Sequence, residues 1–467
     1  MLAHFSALIL TALIFASGFS IAQRLFRLER PWDWILAYPI GMTTIGLAAY
    51  FLWLLAVPWN MIVILVTTTS VLAAHDIFRS ARAIQMQSLN QRLNSLMTTL
   101  SQLEPLETLL LAVICLSGLI TIAWHFFLQP VVWDTLVLYD FRARAINDGW
   151  QIEQFFGQFT FGTHYLYDFL HPYLSSLWQA LVLSFGAPNS TFLSLGLIGS
   201  VLVHAAWVLP SRKAWIVFAT LLLVTPATLT VWTQNYAVEP YFLLWMHIAF
   251  LVFAPAGKRP QNYEAITILF LICTMLLRVS EPYWLVLLFW LSWPIVRSQR
   301  TLADKFLLLA LYGLPALAVF AHWGQLQQEA ASWIQNRDSY IISTYDPGRY
   351  HQVGENLFSA EVWLHWLPGI TVKNPLYPFL VLALGYSLIQ GRKTLQSRQF
   401  WLFFLFAGML FAAFTLDFFS DKKNWELKTE LWARTGLPLV AVSVVLTALK
   451  IQPAEYPQPL HPGRKLG

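Results

Sequence analysis

Asp134 and Asp140 lie six residues apart in the polar stretch that follows the fourth apolar run of the chain. A carboxylate at either position could act as a general base, which must reach the proton that it removes. Asp134 could instead cap the helix predicted to begin at Thr135, and Asp140 could pair with Arg144 at i, i+4 spacing. On a helix, side chains that are six residues apart point in different directions, so Asp134 and Asp140 would not face each other. We therefore predict Asp134 as the base, and Asp140 as a group that binds substrate or metal or pairs with Arg144.

Further charged residues lie at the ends of later apolar runs. Glu239, next to Pro240, could carry chemistry or could simply favour the dipole of a helix that begins there. Arg278 and Glu281 would lie at membrane depth, where a charge costs about 2.5–3.5 kcal/mol and is usually functional, although the two could pair with each other. Arg434 could hold a phosphate through two parallel hydrogen bonds.

His164, Asp168 and His171 follow one another at i, i+4 and i+7. On one face of a helix these side chains could ligate a divalent metal ion. Pro172 argues against a continuous helix at this point. A metal cofactor is therefore an open alternative, and the sequence predicts no other cofactor.

The composition indicates which elements must position these residues. Of the 467 residues, 57% are hydrophobic and 11% are charged, whereas soluble domains carry about 25% charge. This excludes a soluble enzyme. The net charge is +5, but the Lys and Arg residues are scattered through the chain. Nucleic-acid binding would require a basic face, so we expect no nucleic-acid partner.

Apolar runs long enough to cross a bilayer, or nearly so, recur along the whole chain. The sequence therefore predicts an all-α polytopic membrane protein with about thirteen transmembrane helices surrounded by membrane lipids. The runs are 5–22, 34–57, 59–77, 107–128, 190–210, 214–231, 236–255, 262–279, 281–296, 305–323, 375–390, 400–417 and 433–450.

The charges predict an orientation. With the N-terminus outside, roughly two thirds of the 29 Lys and Arg residues fall in cytoplasmic segments, as the positive-inside rule requires. The first run has no basic residue before it, so we predict a retained span rather than a secretory signal. Two long loops, 129–189 and 324–374, then lie outside. We expect an integral protein of the plasma (inner) membrane with its site on the extracytoplasmic face.

The first of these loops is predicted to contain two amphipathic helices lying on the membrane surface. The first covers 135–146, with apolar residues at i, i+3 and i+4 spacing, and it ends at the turn Asn147-Asp-Gly-Trp150. The second covers 172–185 and ends at Gly186 and Pro188.

These features, taken in order, resemble the GT-C glycosyltransferases. An acidic residue after a span, the surface helix and turn, and the segment His171-Pro-Tyr-Leu174 resemble the first extracytoplasmic loop of the family. The closest likeness is to the branch of protein O-mannosyltransferases and lipid A aminoarabinose transferases. Three later segments also resemble family motifs: Tyr236-Ala-Val-Glu-Pro-Tyr241, Arg278-Val-Ser-Glu-Pro-Tyr283 and Trp432-Ala-Arg-Thr-Gly-Leu-Pro438.

The resemblance implies a fold and a set of site residues. Residues 106–450 would form a GT-C-like catalytic region, preceded by three additional transmembrane helices and a cytoplasmic loop in 1–105. The proline-rich composition of 451–467 separately predicts a disordered cytoplasmic tail. Such enzymes take a sugar from a polyprenyl phosphate on the outer face. The expected catalytic residues are Asp134, Asp140 and Glu239, and the expected substrate-binding residues are Arg278, Glu281, Arg434, Asp168 and His171. Tyr350 is a further candidate on other grounds, because it lies in a polar and aromatic stretch of the second long loop that could close over a sugar.

The sequence thus predicts an inverting glycosyltransferase that moves a sugar from a polyprenyl-phosphate-linked donor to an extracytoplasmic lipid, glycan or protein. One alternative is a transporter or flippase of lipid-linked saccharides, which would need polar residues in the middle of its spans. Another is an enzyme like the O-antigen ligases or polymerases, which would need several outer arginines rather than outer acids.

Overall fold

The computed structural model describes residues 2–82, 103–127, 140–157, 173–187, 190–224, 238–277, 301–333, 352–370 and 437–450, with single positions between 288 and 296 and between 401 and 420. Every regular element within these ranges is a helix. This confirms the predicted all-α class.

The helices are numbered in chain order, and a 3₁₀ turn, Ala256–Lys258, follows the eleventh. Up to the first long loop they are α1 Leu2–Arg24, α2 Trp32–Ile35, α3 Ala37–Leu54, α4 Trp59–Arg82 and α5 Pro105–Phe127. The loop contains α6 Phe141–Asn147, α7 Ile152–Gly157 and α8 Leu174–Ser184. The later helices are α9 Thr191–Val208, α10 Arg212–Val224, α11 Val238–Phe253, α12 Tyr263–Leu277, α13 Leu302–Trp333, α14 Val353–Asn356, α15 Ala360–Ile370 and α16 Leu437–Lys450.

Five of these helices are long and apolar enough to cross a membrane, and they coincide with five of the predicted runs. They contain the segments Phe5–Arg24, Ala37–Leu54, Trp59–Ile77, Pro105–His125 and Leu302–Val319. The described parts of α9, α11, α12 and α16 are shorter apolar helices. The protein is therefore a helical membrane protein, and the count of thirteen spans stays a prediction.

α1 and α3 pack closely because glycines face each other across their crossing. A methyl group on Gly18 would overlap the carbonyl oxygen of Ala37, and one on Gly41 would overlap the carbonyl oxygen of Ile14. Small residues allow helix backbones to approach in this way in membranes, where no hydrophobic driving force holds helices together. α4 also packs against α1, and Arg24 of α1 bonds Asp76 of α4 at 2.7 Å.

Ion pairs also join the first residues of α5 to those of α10. Glu107 bonds Arg212 at 2.6 Å, and Glu104 bonds Lys213 at 2.9 Å. The hydrogen bond from Lys213 lowers the pKa of the exposed Glu104 carboxyl. The helices α5 and α10 therefore begin at the same face of the bundle, as the predicted alternation of spans requires.

Two elements differ from the sequence-based expectation. α13 continues to Trp333, so the predicted second loop begins as a helical extension. α8 has the predicted position, but its residues from Leu174 to Val182 are all buried, so it does not lie with one face open on the membrane surface. It is enclosed because it packs against α3, α6 and α12.

Candidate functional site

The first long loop folds onto the C-terminal end of α3 and the N-terminal end of α4. The indole Nε1 of Trp53 donates to the carbonyl oxygen of Trp150 at 2.9 Å, and that of Trp59 donates to Ser184 Oγ at 2.9 Å. Ser184 Oγ in turn donates to Asn147 Oδ1 at 2.7 Å. These bonds fix the ends of α6 and α8 on two candidate spans.

Two helices of this loop, α6 and α8, end where the sequence predicts. Gly149 has a φ of 95° and Gly186 a φ of 75°, the left-handed conformation that glycine adopts after a helix. The N–H of Trp150 bonds the carbonyl of Ala145 at 2.9 Å, and the N–H of Ala187 bonds the carbonyl of Val182 at 3.1 Å. This 6→1 bond is characteristic of the Schellman motif. The local sequence therefore determines where α6 and α8 end.

Asp140 lies at the start of α6 and faces α8. Its Oδ2 accepts a hydrogen bond from Arg144 Nε at 2.8 Å, and its Oδ1 accepts one from Gln179 Nε2 at 3.1 Å. The carboxylate side chain is 16% exposed, whereas that of Arg144 is 65% exposed. Asp140 is thus held in one orientation by the guanidinium of Arg144 on α6 and the amide of Gln179 on α8. Of the alternatives for Asp140, the pair with Arg144 is confirmed.

Arg142, two residues later, is completely buried. Its guanidinium carbon lies 4.3 Å from the centre of the Tyr173 ring, and Trp53 and Phe155 pack around the same ring. Such a stack orients a guanidinium and leaves its edge able to donate hydrogen bonds. The loop therefore contains one cation inside the protein beside an aromatic cluster.

Glu239, at the second position of α11, is buried against His125, near the end of α5. Nε2 of His125 lies 2.6 Å from Oε1 of Glu239, and the two side chains are 1% and 6% exposed. Nδ1 of His125 lies 2.7 Å from the carbonyl oxygen of Thr121. A carbonyl only accepts, so Nδ1 carries a proton, and a second proton lies between Nε2 and Oε1. Imidazole and carboxylate thus share one proton between two helices.

A second buried histidine pair lies within the apolar helices. His204 Nδ1 and His247 Nδ1 are 3.0 Å apart, and Ser200 Oγ lies 2.9 Å from His247 Nε2. Because the Ser200 hydroxyl donates to the Leu197 carbonyl oxygen at 2.8 Å, it accepts from His247 Nε2. His247 Nδ1 then accepts from His204 Nδ1, which gives both rings a neutral tautomer. This polar cluster joins α9 to α11.

Of the predicted site residues, the structure describes Asp140 and Glu239. They have no hydrogen-bond partner in common within the described ranges. The others lie outside the described residues: Asp134, His164, Asp168, His171, Arg278, Glu281, Tyr350 and Arg434. Within the described ranges no three His, Cys, Asp or Glu side chains cluster to hold a metal ion.

The sequence did not single out several residues of these centres: His125, Arg142, Gln179, Ser200, His204 and His247. A histidine near the end of an apolar run and an arginine in an otherwise apolar helical stripe were the available signals. Neither signal identifies a partner, because the partners come from helices distant in sequence. No family model, curated protein or solved structure matches the chain.

Proposed function

We propose that this membrane protein is an inverting glycosyltransferase that transfers a sugar from a polyprenyl-phosphate-linked donor to an extracytoplasmic acceptor. The observation that carries the proposal is the described part of the first long loop, 140–157 and 173–187, which holds buried polar groups against the ends of two candidate spans. It contains an oriented carboxylate, Asp140, and a buried cation, Arg142. A loop that only connected two spans would not need either group.

The reaction requires one base and one anion-stabilising group. The base removes the proton of the acceptor hydroxyl as that oxygen forms a bond to the anomeric carbon. The bond from this carbon to the phosphate oxygen breaks, and the polyprenyl phosphate leaves with the electron pair. Attack opposite the leaving group inverts the anomeric configuration. We assign Asp134 as the base, Asp140 as a group that orients the acceptor, and Glu239 as the second acid of the site.

The test is sugar transfer by the purified protein from a radiolabelled polyprenyl-phosphate sugar. Asp134→Asn should lower the rate about 10²–10⁴-fold, the usual contribution of a general base. Asp148→Asn is the matched control, since Asp148 is an exposed aspartate of the same loop, and its rate should equal that of the wild type. Full activity of Asp134→Asn would remove that residue from the mechanism.

A transporter of lipid-linked saccharides is the second candidate, and the His204–His247 cluster favours it. These histidines lie within apolar helices, and polar groups at membrane depth are commonly part of a transport path. Flux of a lipid-linked saccharide across proteoliposomes distinguishes the two functions. Flux without transfer to any acceptor, abolished by His204→Phe, would support the transporter and refute the transferase.

A further inference from the structure

The first turn of α8 lies inside the protein without a side-chain cap. The residue before it, Tyr173, makes no capping hydrogen bond, and Leu174, Ser175 and Ser176 are all fully buried. The first N–H groups of a helix have no partner within the helix, and the helix dipole places partial positive charge at this end. The N-terminus of an 11-residue helix is therefore directed into protein rather than into water.

Two hydroxyl groups in this turn have no hydrogen-bond partner among the residues that the structure describes. Ser175 Oγ and Ser176 Oγ are both buried, and neither bonds any part of those residues. A buried hydroxyl without a partner is costly, and native proteins rarely leave one without a reason such as a missing ligand. Serine in a helix usually bonds the carbonyl four residues earlier, and these two do not.

The buried guanidinium of Arg142 contacts the side chain of the residue that precedes this turn. It stacks on Tyr173, the residue that precedes the first turn of α8, at 4.3 Å. Tyr173 and Ser176 are three residues apart and so lie on neighbouring positions of one helix face. Arg142 is on α6, and the two hydroxyls and the first N–H groups are on α8, which packs against α6. All of these groups can donate hydrogen bonds.

We propose that this group of donors, called here the α8 N-terminal site, binds a phosphate group carried by a lipid. Phosphate oxygens only accept hydrogen bonds once ionised, and helix N-termini and arginine are their usual partners. The nearby carboxylate of Asp140 does not oppose this, because it is engaged by Arg144 and Gln179. A lipid is the source because Tyr173 packs 5.2 Å from Trp53, near the end of a candidate membrane span.

Binding of a lipid phosphate does not depend on the transferase activity. Only the further step, that the bound phosphate is the one released from the sugar donor, rests on the proposed function. The site residues are Arg142, Ser175 and Ser176, which differ from the substrate-binding residues that the sequence resemblance implies.

The experiment measures binding of a short-chain polyprenyl phosphate to the full-length protein in nanodiscs, by native mass spectrometry and by the rise in melting temperature. Polyprenol without phosphate and inorganic phosphate are the comparison ligands. We expect the polyprenyl phosphate to bind and to stabilise the protein, and polyprenol not to. Inorganic phosphate should bind far more weakly. Equal affinity for inorganic phosphate would overturn the lipid assignment, and equal affinity for polyprenol would overturn the phosphate site.

The double variant Ser175→Ala/Ser176→Ala separates binding from folding. It removes two unpartnered hydroxyls, so the melting temperature of the unliganded protein should stay the same or rise. Its affinity for the polyprenyl phosphate should fall at least tenfold, since hydrogen bonds to an ionised group are lost. Unchanged affinity would overturn the proposal. A lower melting temperature with unchanged affinity would assign the serines a purely structural role and overturn it as well.

Arg142→Met, if it folds, should lower the affinity for the polyprenyl phosphate more than the serine double variant does. If Arg142→Met does not fold, the serine double variant alone tests the site. Lys213→Gln is the charge-matched control, because it also removes one positive charge but does so at an exposed pair with Glu104. It should bind like the wild type. If binding follows these expectations and sugar transfer is absent, the α8 N-terminal site stands and the proposed transferase function fails.

Discussion

Replacement of His125 by alanine is expected to destabilise the protein by about 3–5 kcal/mol. The substitution leaves the Glu239 carboxylate, whose side chain is 6% exposed, without the imidazole that shares its proton. Breaking a buried pair by removing one partner costs this much because the remaining group is buried and uncompensated. Glu239 is on α11 and His125 is on α5. Loss of this pair therefore weakens the contact between two helices, and its effect is not confined to one turn of a single helix.

The double variant identifies the origin of this cost. Glu239→Ala should also destabilise the protein, but His125→Ala/Glu239→Ala should cost less than the two single changes added together. A coupling energy of about 0.5–3 kcal/mol is expected for residues in direct contact. The free energies come from reversible unfolding in mixed detergent micelles, followed by far-ultraviolet circular dichroism.

His365→Ala is the matched control for this measurement. Like His125, His365 has its Nδ1 close to the carbonyl oxygen four residues earlier, here at 2.9 Å from Glu361, but it is exposed. We expect a change within about 0.5 kcal/mol. Strict additivity of His125→Ala and Glu239→Ala, or a cost for His125→Ala no larger than for His365→Ala, would refute the shared-proton pair.

Two further predictions concern helix packing and pH. Gly41→Ala should lower the free energy of unfolding by about 1–3 kcal/mol, because the new methyl group would overlap a backbone carbonyl of α1. Gly118→Ala is the control, because its methyl group meets open space. It should be neutral or slightly stabilising in the same unfolding assay. Because Lys213 lowers the pKa of Glu104, this pair should stabilise the fold above the usual carboxyl pKa of 4.5 and lose that effect as the pH falls through the lowered value. Melting temperatures measured from pH 6 to pH 3 should therefore converge for wild type and Glu104→Gln, and a constant difference would contradict the pair.

The sequence predicts those features that depend on neighbouring residues. Long apolar runs are sufficient to locate α1, α3, α4 and α5, because a segment in lipid must satisfy its backbone hydrogen bonds internally and so becomes a helix. The glycine turn at Gly149 is equally local. Both the all-helical class of the protein and the C-terminal ends of α6 and α8 follow from such patterns, whereas α7 was not predicted.

Features that depend on distant residues were not predictable. Glu239 could be placed at a helix N-terminus, but its partner His125 is 114 residues earlier in the chain. Serine and glutamine residues recur along α8 at the spacing of a helix that has one polar side, yet α8 is enclosed, because α3, α6 and α12 pack against it. Helical periodicity tells which side of a helix is apolar and does not tell how many neighbours cover it.

The contacts at the two ends of α5 relate these separate features to the proposed function. At its start, Glu107 bonds Arg212 at the start of α10, and near its end, His125 bonds Glu239 at the start of α11. The end of α5 and the start of α11 therefore lie at the same face of the bundle, opposite the face at which α5 and α10 begin. A glycosyltransferase needs its acidic residues on one face, since donor and acceptor must meet there. The proposed base, Asp134, follows the end of α5 by seven residues in the sequence. If the starts of α10 and α11 had shared a face, Glu239 would lie across the membrane from the end of α5, and the proposal of a site common to both acids would fail.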